Sequence, residues 1–125
     1  MDEQQRKEMR VSVDIDIEVN QILVSEYPVV LPKILPMKVL NISVGGVLLF
    51  SHLDLKLGLY LCSTVVFGGS EMNVVCEGIR KEEQQDGYYY GCKFRGLTRC
   101  EEQVIRKFVF EEQLRSRMLR CANAN

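Results

Sequence analysis

The chain has 125 residues, of which 46% are hydrophobic and 26% are charged, and its formal net charge is −1 at neutral pH. This length and composition are typical of one globular domain with a single hydrophobic core. A net charge so close to zero provides no overall basic field, which excludes long nucleic acid as an expected partner. Any site for an anion must therefore be local.

Hydropathy and cysteine usage bear on the compartment. No apolar run approaches the ~20 residues of a membrane span, and no signal-peptide pattern opens the sequence. The cysteines are odd in number, scattered and free of any Cys-x-x-Cys spacing: Cys62, Cys76, Cys92, Cys100 and Cys121. This pattern indicates free thiols rather than a disulfide or zinc framework, so we expect a cytoplasmic protein without membrane insertion.

Residues 1–10 form a polar and charged segment that offers little to bury. We expect it to be a mobile arm. It carries Arg6 and Arg10, and each guanidinium is a planar, permanently charged fork that can pair with a guanine edge or a phosphate. The arm therefore holds candidate ligand-binding residues.

Residues 11–97 have the pattern of an antiparallel barrel. Apolar and polar residues alternate from Val11 to Val19, which predicts a strand with one buried and one solvated face. Asp14 and Asp16 fall on the solvated face, which favours that interpretation over a metal-binding pair. Further strands are predicted over 37–42, 47–51, 60–67, 72–81 and 88–95, and 21–24 could extend the first strand beyond a bend near Asn20. Short strands with glycine-rich turns and no intervening helix predict about six strands that close into a barrel.

Two stretches within the predicted barrel are ambiguous. The segment 26–35 contains Pro28 and Pro32 and is followed by Pro36. Because proline cannot donate a backbone hydrogen bond, we predict a connection there with at most a short edge strand. Tyr88 and Tyr90 could form a base-stacking platform, but their alternation with Cys92 and Phe94 favours packing in the core.

The hexapeptide from Asn41 to Gly46 is predicted to connect two strands as a tight turn. Asn41 and Ser43 lie two residues apart, which in an extended chain places both side chains on one face. Gly45 and Gly46 permit positive φ and close approach to the backbone. An amide and a hydroxyl beside bare backbone suit a planar polar ligand or an oxyanion, and they equally suit a plain turn.

Residues 98–121 are predicted to form a C-terminal helix. Thr98 and Glu101 have the spacing of a capping box, and no glycine or proline interrupts the segment. At 100° per residue, one face carries Val104, Ile105, Phe108 and Val109, which we expect to close one end of the barrel. A nearly opposite face carries Phe110, Leu114, Met118 and Cys121. That face could contact a strand of the same chain, form a homodimer, bind another protein or belong to a frayed tail.

Arg-x-x-x-Arg before the first strand, followed by Asn-x-Ser-x-x-Gly at residues 41–46, resembles the PilZ domain family. The resemblance extends from about residue 4 to about residue 117. It implies a six-stranded antiparallel barrel with a C-terminal helix that binds the bacterial second messenger cyclic di-GMP. Arg6 and Arg10 would then contact guanine and phosphate groups, Asn41 and Ser43 would meet a guanine edge, and Gly45 and Gly46 would allow close approach.

The sequence contains no nucleophile–base pair, metal-ligand cluster or Walker-type phosphate loop, so we do not expect an enzyme. The leading hypothesis is a cyclic di-GMP receptor domain that changes conformation or partner contacts when the messenger binds, without any further cofactor. One alternative is a PilZ-like protein-interaction module in which nucleotide binding is secondary. Another is a barrel that binds single-stranded nucleic acid, which the tyrosines favour and the near-zero net charge opposes.

Overall fold

The computed structural model describes residues 9–24 and 27–123. It contains six strands and one helix. The bounds are β1 (Val11–Val24), β2 (Tyr27–Ile42), β3 (Gly46–Ser51), β4 (Tyr60–Phe67), β5 (Ser70–Gln84), β6 (Gly87–Arg95) and α1 (Arg99–Asn123). Within these described residues, no helix is both long and apolar enough to cross a membrane.

The strands pair antiparallel and close into a barrel in the order β1-β2-β3-β6-β5-β4. The predicted fold class, an all-β barrel with a C-terminal helix, is confirmed. Alternate residues point inward along most of the barrel, and the most deeply buried include Val19, Val39, Ile42, Leu49 and Phe67. The solvated face of β1 is also confirmed, because Lys38 Nζ on β2 lies 2.9 Å from Asp14 Oδ1 and 3.8 Å from Asp16 Oδ1.

β2 is much longer than the sequence predicted. The segment 26–35 was expected to be mainly a connection, but β2 starts at Tyr27 and pairs with the end of β1, from Val24↔Tyr27 to Gln21↔Val30. β3 pairs with β2 only from Lys38 onward, so one edge of the earlier part of β2 has no partner strand. Prolines are tolerated there because no backbone N–H is needed on that edge. Pro32 falls in the register shift between the Val30 and Leu35 pairings.

The helix α1 closes the barrel as predicted. Glu101 N–H donates to Thr98 Oγ1 over 3.1 Å, and Thr98 N–H donates to Glu101 Oε1 over 2.9 Å, so the capping box is formed. Ile105 and Val109 are fully buried in the core. Phe108 packs on Phe67 with 5.3 Å between ring centroids.

The tyrosines of β6 serve the core and the neighbouring loop. Tyr90 is buried, and its hydroxyl donates to the Leu53 carbonyl and accepts from Leu55 N–H. Lys81, which is ion-paired with Asp54, lies 5.0 Å from the centroid of the Tyr88 ring. These contacts agree with the packing interpretation and leave the Tyr90 ring unavailable to stack on a base.

Candidate functional site

The turn at residues 43–46 is stabilised by its own hydrogen bonds and by β6. Ser43 N–H donates to the Gly46 carbonyl over 2.9 Å, and Gly46 N–H donates to Ser43 Oγ over 3.3 Å. Phe94 N–H donates to the Gly45 carbonyl over 3.0 Å, which ties the turn to β6. Ser43 is buried, so its hydroxyl supports the turn from within.

Strand register brings the start of β1 to this turn. Ser12 pairs with Asn41 and Val11 pairs with Ile42, so Arg10, the residue just before β1, lies beside the turn. Arg10 is exposed and is therefore available to a ligand. The two separate stretches that the sequence analysis selected thus meet on one surface of the barrel.

That surface is a cleft of about 860 Å³ on the outside of the barrel. Its lining includes Arg10, Asn41, Ser43, Gly45 and Gly46, which are all the predicted site residues that the structure describes; Arg6 lies outside the described residues. The remaining lining residues come from β3, β5 and β6: Val47, Leu48, Ile79, Arg80, Gly91, Cys92, Lys93, Phe94 and Arg95.

The cleft is cationic although the whole chain is not. Among the described residues that line it, four are positively charged, Arg10, Arg80, Lys93 and Arg95, and none carries a carboxylate. Arg95 is partly neutralised, since its Nε and Nη2 both lie 2.7 Å from Glu77 Oε1. A local positive surface with an apolar floor suits a ligand that combines phosphates with planar rings.

Sequence reasoning missed Arg80, Lys93 and Arg95. The outward positions of Lys93 and Arg95 could have been read from their alternation with the buried Cys92 and Phe94. Alternation from Cys76 would have placed Arg80 inside the barrel, and it faces outward only because the register shifts between Gly78 and Arg80. Alternation alone does not give register, however, and only the pairings Gly46↔Lys93 and Arg80↔Gly91 place these cations beside the turn.

Gly46 has a structural reason to be glycine. A Cβ at this position would lie 2.0 Å from the Cys92 carbonyl oxygen and 3.2 Å from Lys93 Cα, both backbone atoms of β6. The close approach that the sequence predicted at Gly46 is therefore made by strand β6. Whether a ligand also approaches Gly46 remains a prediction.

Cys92 contributes a thiol to the lining of the cleft. Burial raises the pKa of the Cys92 thiol to about 12, which keeps it protonated and unreactive at neutral pH. Among the residues that the structure describes, no group of three or more histidine, cysteine or acidic side chains could hold a metal ion.

The chain is thus a closed antiparallel barrel with a cationic cleft beside the turn at residues 43–46. The sequence profile of the PilZ domain matches residues 4–111, and the chain belongs to the PilZ domain family. PilZ domains are receptor domains rather than enzymes.

Solved structures share this fold. The PilZ domain of YcgR from Escherichia coli with cyclic di-GMP has a TM-score of 0.68 and 13% identity, covering 92% of this chain and 96% of that one. YcgR in complex with cyclic di-GMP gives a TM-score of 0.74 and 14% identity, with 97% and 51% covered. The Bacillus subtilis inhibitor of motility MotI/DgrA has a TM-score of 0.64 and 17% identity, and the match covers 90% of this chain and 53% of that one.

At these identities the structural likeness concerns the fold alone. The chain spans about half the length of MotI/DgrA and of YcgR in its complex. A comparison with curated protein sequences found no match.

Proposed function

We propose that this chain is a receptor domain for cyclic di-GMP and that the ligand binds in the cleft beside the turn at residues 43–46. The observation that carries this proposal is the convergence of Arg10 with Asn41 and Ser43 in one cationic cleft. Membership in the PilZ family and the cyclic di-GMP in two of the similar structures support it.

Each predicted residue has a role that its chemistry supports. Arg10 offers a fork of donors to a phosphate or to the O6 and N7 acceptors of guanine. The amide oxygen of Asn41 accepts from guanine N–H groups without placing a negative charge near the phosphates. Ser43 holds the turn that presents Asn41, and Gly45 and Gly46 contribute backbone at the floor of the site.

The test is isothermal titration calorimetry with cyclic di-GMP on the wild type, Arg10→Ala and Arg99→Ala. Arg99 is exposed at the start of α1 and is not a cleft residue, so its variant controls for the loss of one positive charge. Removing a charge-assisted pair should weaken binding about tenfold or more in Arg10→Ala and leave Arg99→Ala unchanged. Equal affinities in all three proteins would reject this placement of the ligand.

We further propose that the ligand acts by drawing the arm, residues 1–10, across the cleft. Arg6 lies four residues before Arg10 in the sequence, and a ligand with two phosphates and two guanines offers both arginines common partners. Ordering the five residues from Arg6 to Arg10 opposes binding by about 1–2 kcal/mol each, so affinity depends on how free the arm is beforehand. Amide hydrogen exchange of residues 6–9 should slow when cyclic di-GMP is added, and unchanged exchange at saturation would contradict this switch.

The exposed face of α1 supports a second proposal, a homodimer or another protein contact. Phe110, Leu114 and Met118 are 54%, 42% and 71% exposed, and they lie away from the barrel that Ile105 and Val109 close. The double variant Leu114→Glu and Met118→Glu should lower the mass in light scattering while circular dichroism shows that the barrel stays folded. A monomeric wild type at high concentration would reject the homodimer and leave a different protein partner or a frayed tail without a partner.

We propose a cytoplasmic location for this receptor. The described cysteines Cys62, Cys76, Cys92 and Cys100 are free thiols, which fits a reducing compartment.

A further inference from the structure

Four residues form a continuous row across the outer surface of the barrel, from β2 to β5. Asn41 pairs with Leu48 of β3, Leu48 pairs with Gly91 of β6, and Gly91 pairs with Arg80 of β5. All four line the cleft. The row therefore places an amide at one side of the cleft, an apolar floor in its middle and an arginine at the other side.

The arginine leans over the floor because Gly91 has no side chain. A Cβ built on Gly91 would lie 2.9 Å from Arg80 Nη2, 3.1 Å from Nε and 3.2 Å from Cζ. The similar distances to three guanidinium atoms mean that the guanidinium occupies the space above Gly91. No described carboxylate forms an ion pair with Arg80, so this charge stays available within the described part of the chain.

The spacing of the row matches one purine ring. Neighbouring strands are about 4.8 Å apart, so the backbone of β2 and the guanidinium above β6 are separated by about 10 Å. Leu48 of β3 lies between them as a surface without charges, on which the face of a base can rest. Guanine carries N–H donors on its Watson–Crick edge and the O6 and N7 acceptors on its major-groove edge.

Resting on the proposed function, we propose that Arg80 is a specificity-determining residue that reads the O6 and N7 edge of one guanine of the ligand. The base lies on Leu48, beside the guanidinium that covers Gly91, and its N–H edge faces the amide oxygen of Asn41. Adenine presents an N–H donor where guanine has O6, so the guanidinium discriminates against it. Gly91 is the positioning residue that lets Arg80 adopt this orientation.

The test combines a protein variant with a ligand variant that removes one acceptor. Calorimetry would compare cyclic di-GMP with its 7-deazaguanine analogue, which lacks N7, on the wild type, Arg80→Ala, Arg80→Lys and the control Arg106→Ala. Arg106 is exposed on α1, is not a cleft residue and matches the loss of one guanidinium. We expect Arg80→Ala to weaken cyclic di-GMP about tenfold, Arg80→Lys to recover only part of this loss, and Arg106→Ala to match the wild type.

The analogue separates a contact with the base from a contact with phosphate. If Arg80 reads N7, the wild type prefers cyclic di-GMP over the analogue, and Arg80→Ala loses most of that preference. Equal weakening of both ligands by Arg80→Ala would assign Arg80 to a phosphate and overturn the proposal. Wild-type affinity in Arg80→Ala would reject this proposal alone, whereas a wild type that does not bind cyclic di-GMP would reject the proposed function with it.

The role of Gly91 has its own test. A methyl group at position 91 displaces the guanidinium, so Gly91→Ala should weaken cyclic di-GMP in the wild type and have little further effect in the Arg80→Ala background. Equal effects in both backgrounds would mean that the methyl group obstructs the ligand directly, which would overturn the positioning role.

Discussion

Gly46 shows how one residue can be required by the barrel and also line the cleft. We expect Gly46→Ala to destabilise the protein by about 1–3 kcal/mol or more, because the new Cβ meets a backbone oxygen that cannot move independently of β6. Urea denaturation measures this change. Gly78→Ala is the matched control on β5, since its Cβ would meet only Leu57 Cδ2 at an ordinary 3.7 Å and should leave stability within about 1 kcal/mol of the wild type.

This prediction affects how binding data at Gly46 should be interpreted. If Gly46→Ala binds weakly at a temperature where it is partly unfolded, the weak binding reflects loss of the folded barrel and not loss of a ligand contact. Equal stability of Gly46→Ala and Gly78→Ala would contradict the steric argument. That result would mean that β3 can shift enough to accommodate a Cβ at position 46.

At the residue scale, sequence reasoning could select only residues whose spacing is local. Asn41 and Ser43 could be assigned to one face because two residues in an extended chain have a fixed relation. The burial of Ser43 could not be inferred, because it depends on how the turn packs against β6. Arg80 and Lys93 were missed for the same reason: they are more than 30 residues from the turn, and only strand register makes them its neighbours.

At the scale of elements, the capping box of α1 should set the stability of the helix that closes the barrel. Thr98→Ala removes the acceptor for Glu101 N–H and should cost about 0.5–2 kcal/mol. Ser116→Ala, which removes an exposed hydroxyl from the middle of the same helix, is the control and should be neutral or slightly stabilising. Thermal unfolding followed by circular dichroism measures both, and a Thr98→Ala midpoint equal to that of Ser116→Ala would contradict the role of the cap.

The elements were predictable to different degrees. β4 was predicted at its observed bounds because a mostly apolar run ends in two glycines, and α1 because capping and periodicity agree. The early part of β2 was missed because prolines were weighed as strand breakers, whereas one side of this segment has no strand to pair with. β5 was predicted to end at residue 81, but it extends to Gln84. The charged residues after 81 were assigned to a turn, whereas in the structure they pair with β6 as far as Gln84↔Gly87.

At the scale of the whole molecule, charge is unevenly distributed. The chain has a formal net charge of −1, yet the cleft gathers Arg10, Arg80, Lys93 and Arg95. Folding produces this concentration, since the four cations come from three separate stretches of sequence. A net charge near zero with a local cationic cleft favours a small anion over a long polyanion, which would also meet the acidic surface around Asp14 and Asp16.

The same distribution predicts that position, rather than total charge, controls binding. Lys93→Gln and Lys107→Gln change the net charge equally, but only Lys93 lines the cleft, where it pairs across the strands with Gly46. We expect Lys93→Gln to weaken cyclic di-GMP about tenfold at low salt, and Lys107→Gln to match the wild type. Raising sodium chloride from about 50 to 500 mM should reduce the difference between Lys93→Gln and the wild type, because screening weakens the attraction that the lysine contributes. Calorimetry at both salt concentrations gives the comparison.

Equal losses of affinity in the two variants would show that the ligand responds to the net charge of the protein. A difference that persists unchanged at high salt would mean that Lys93 acts through packing instead of charge.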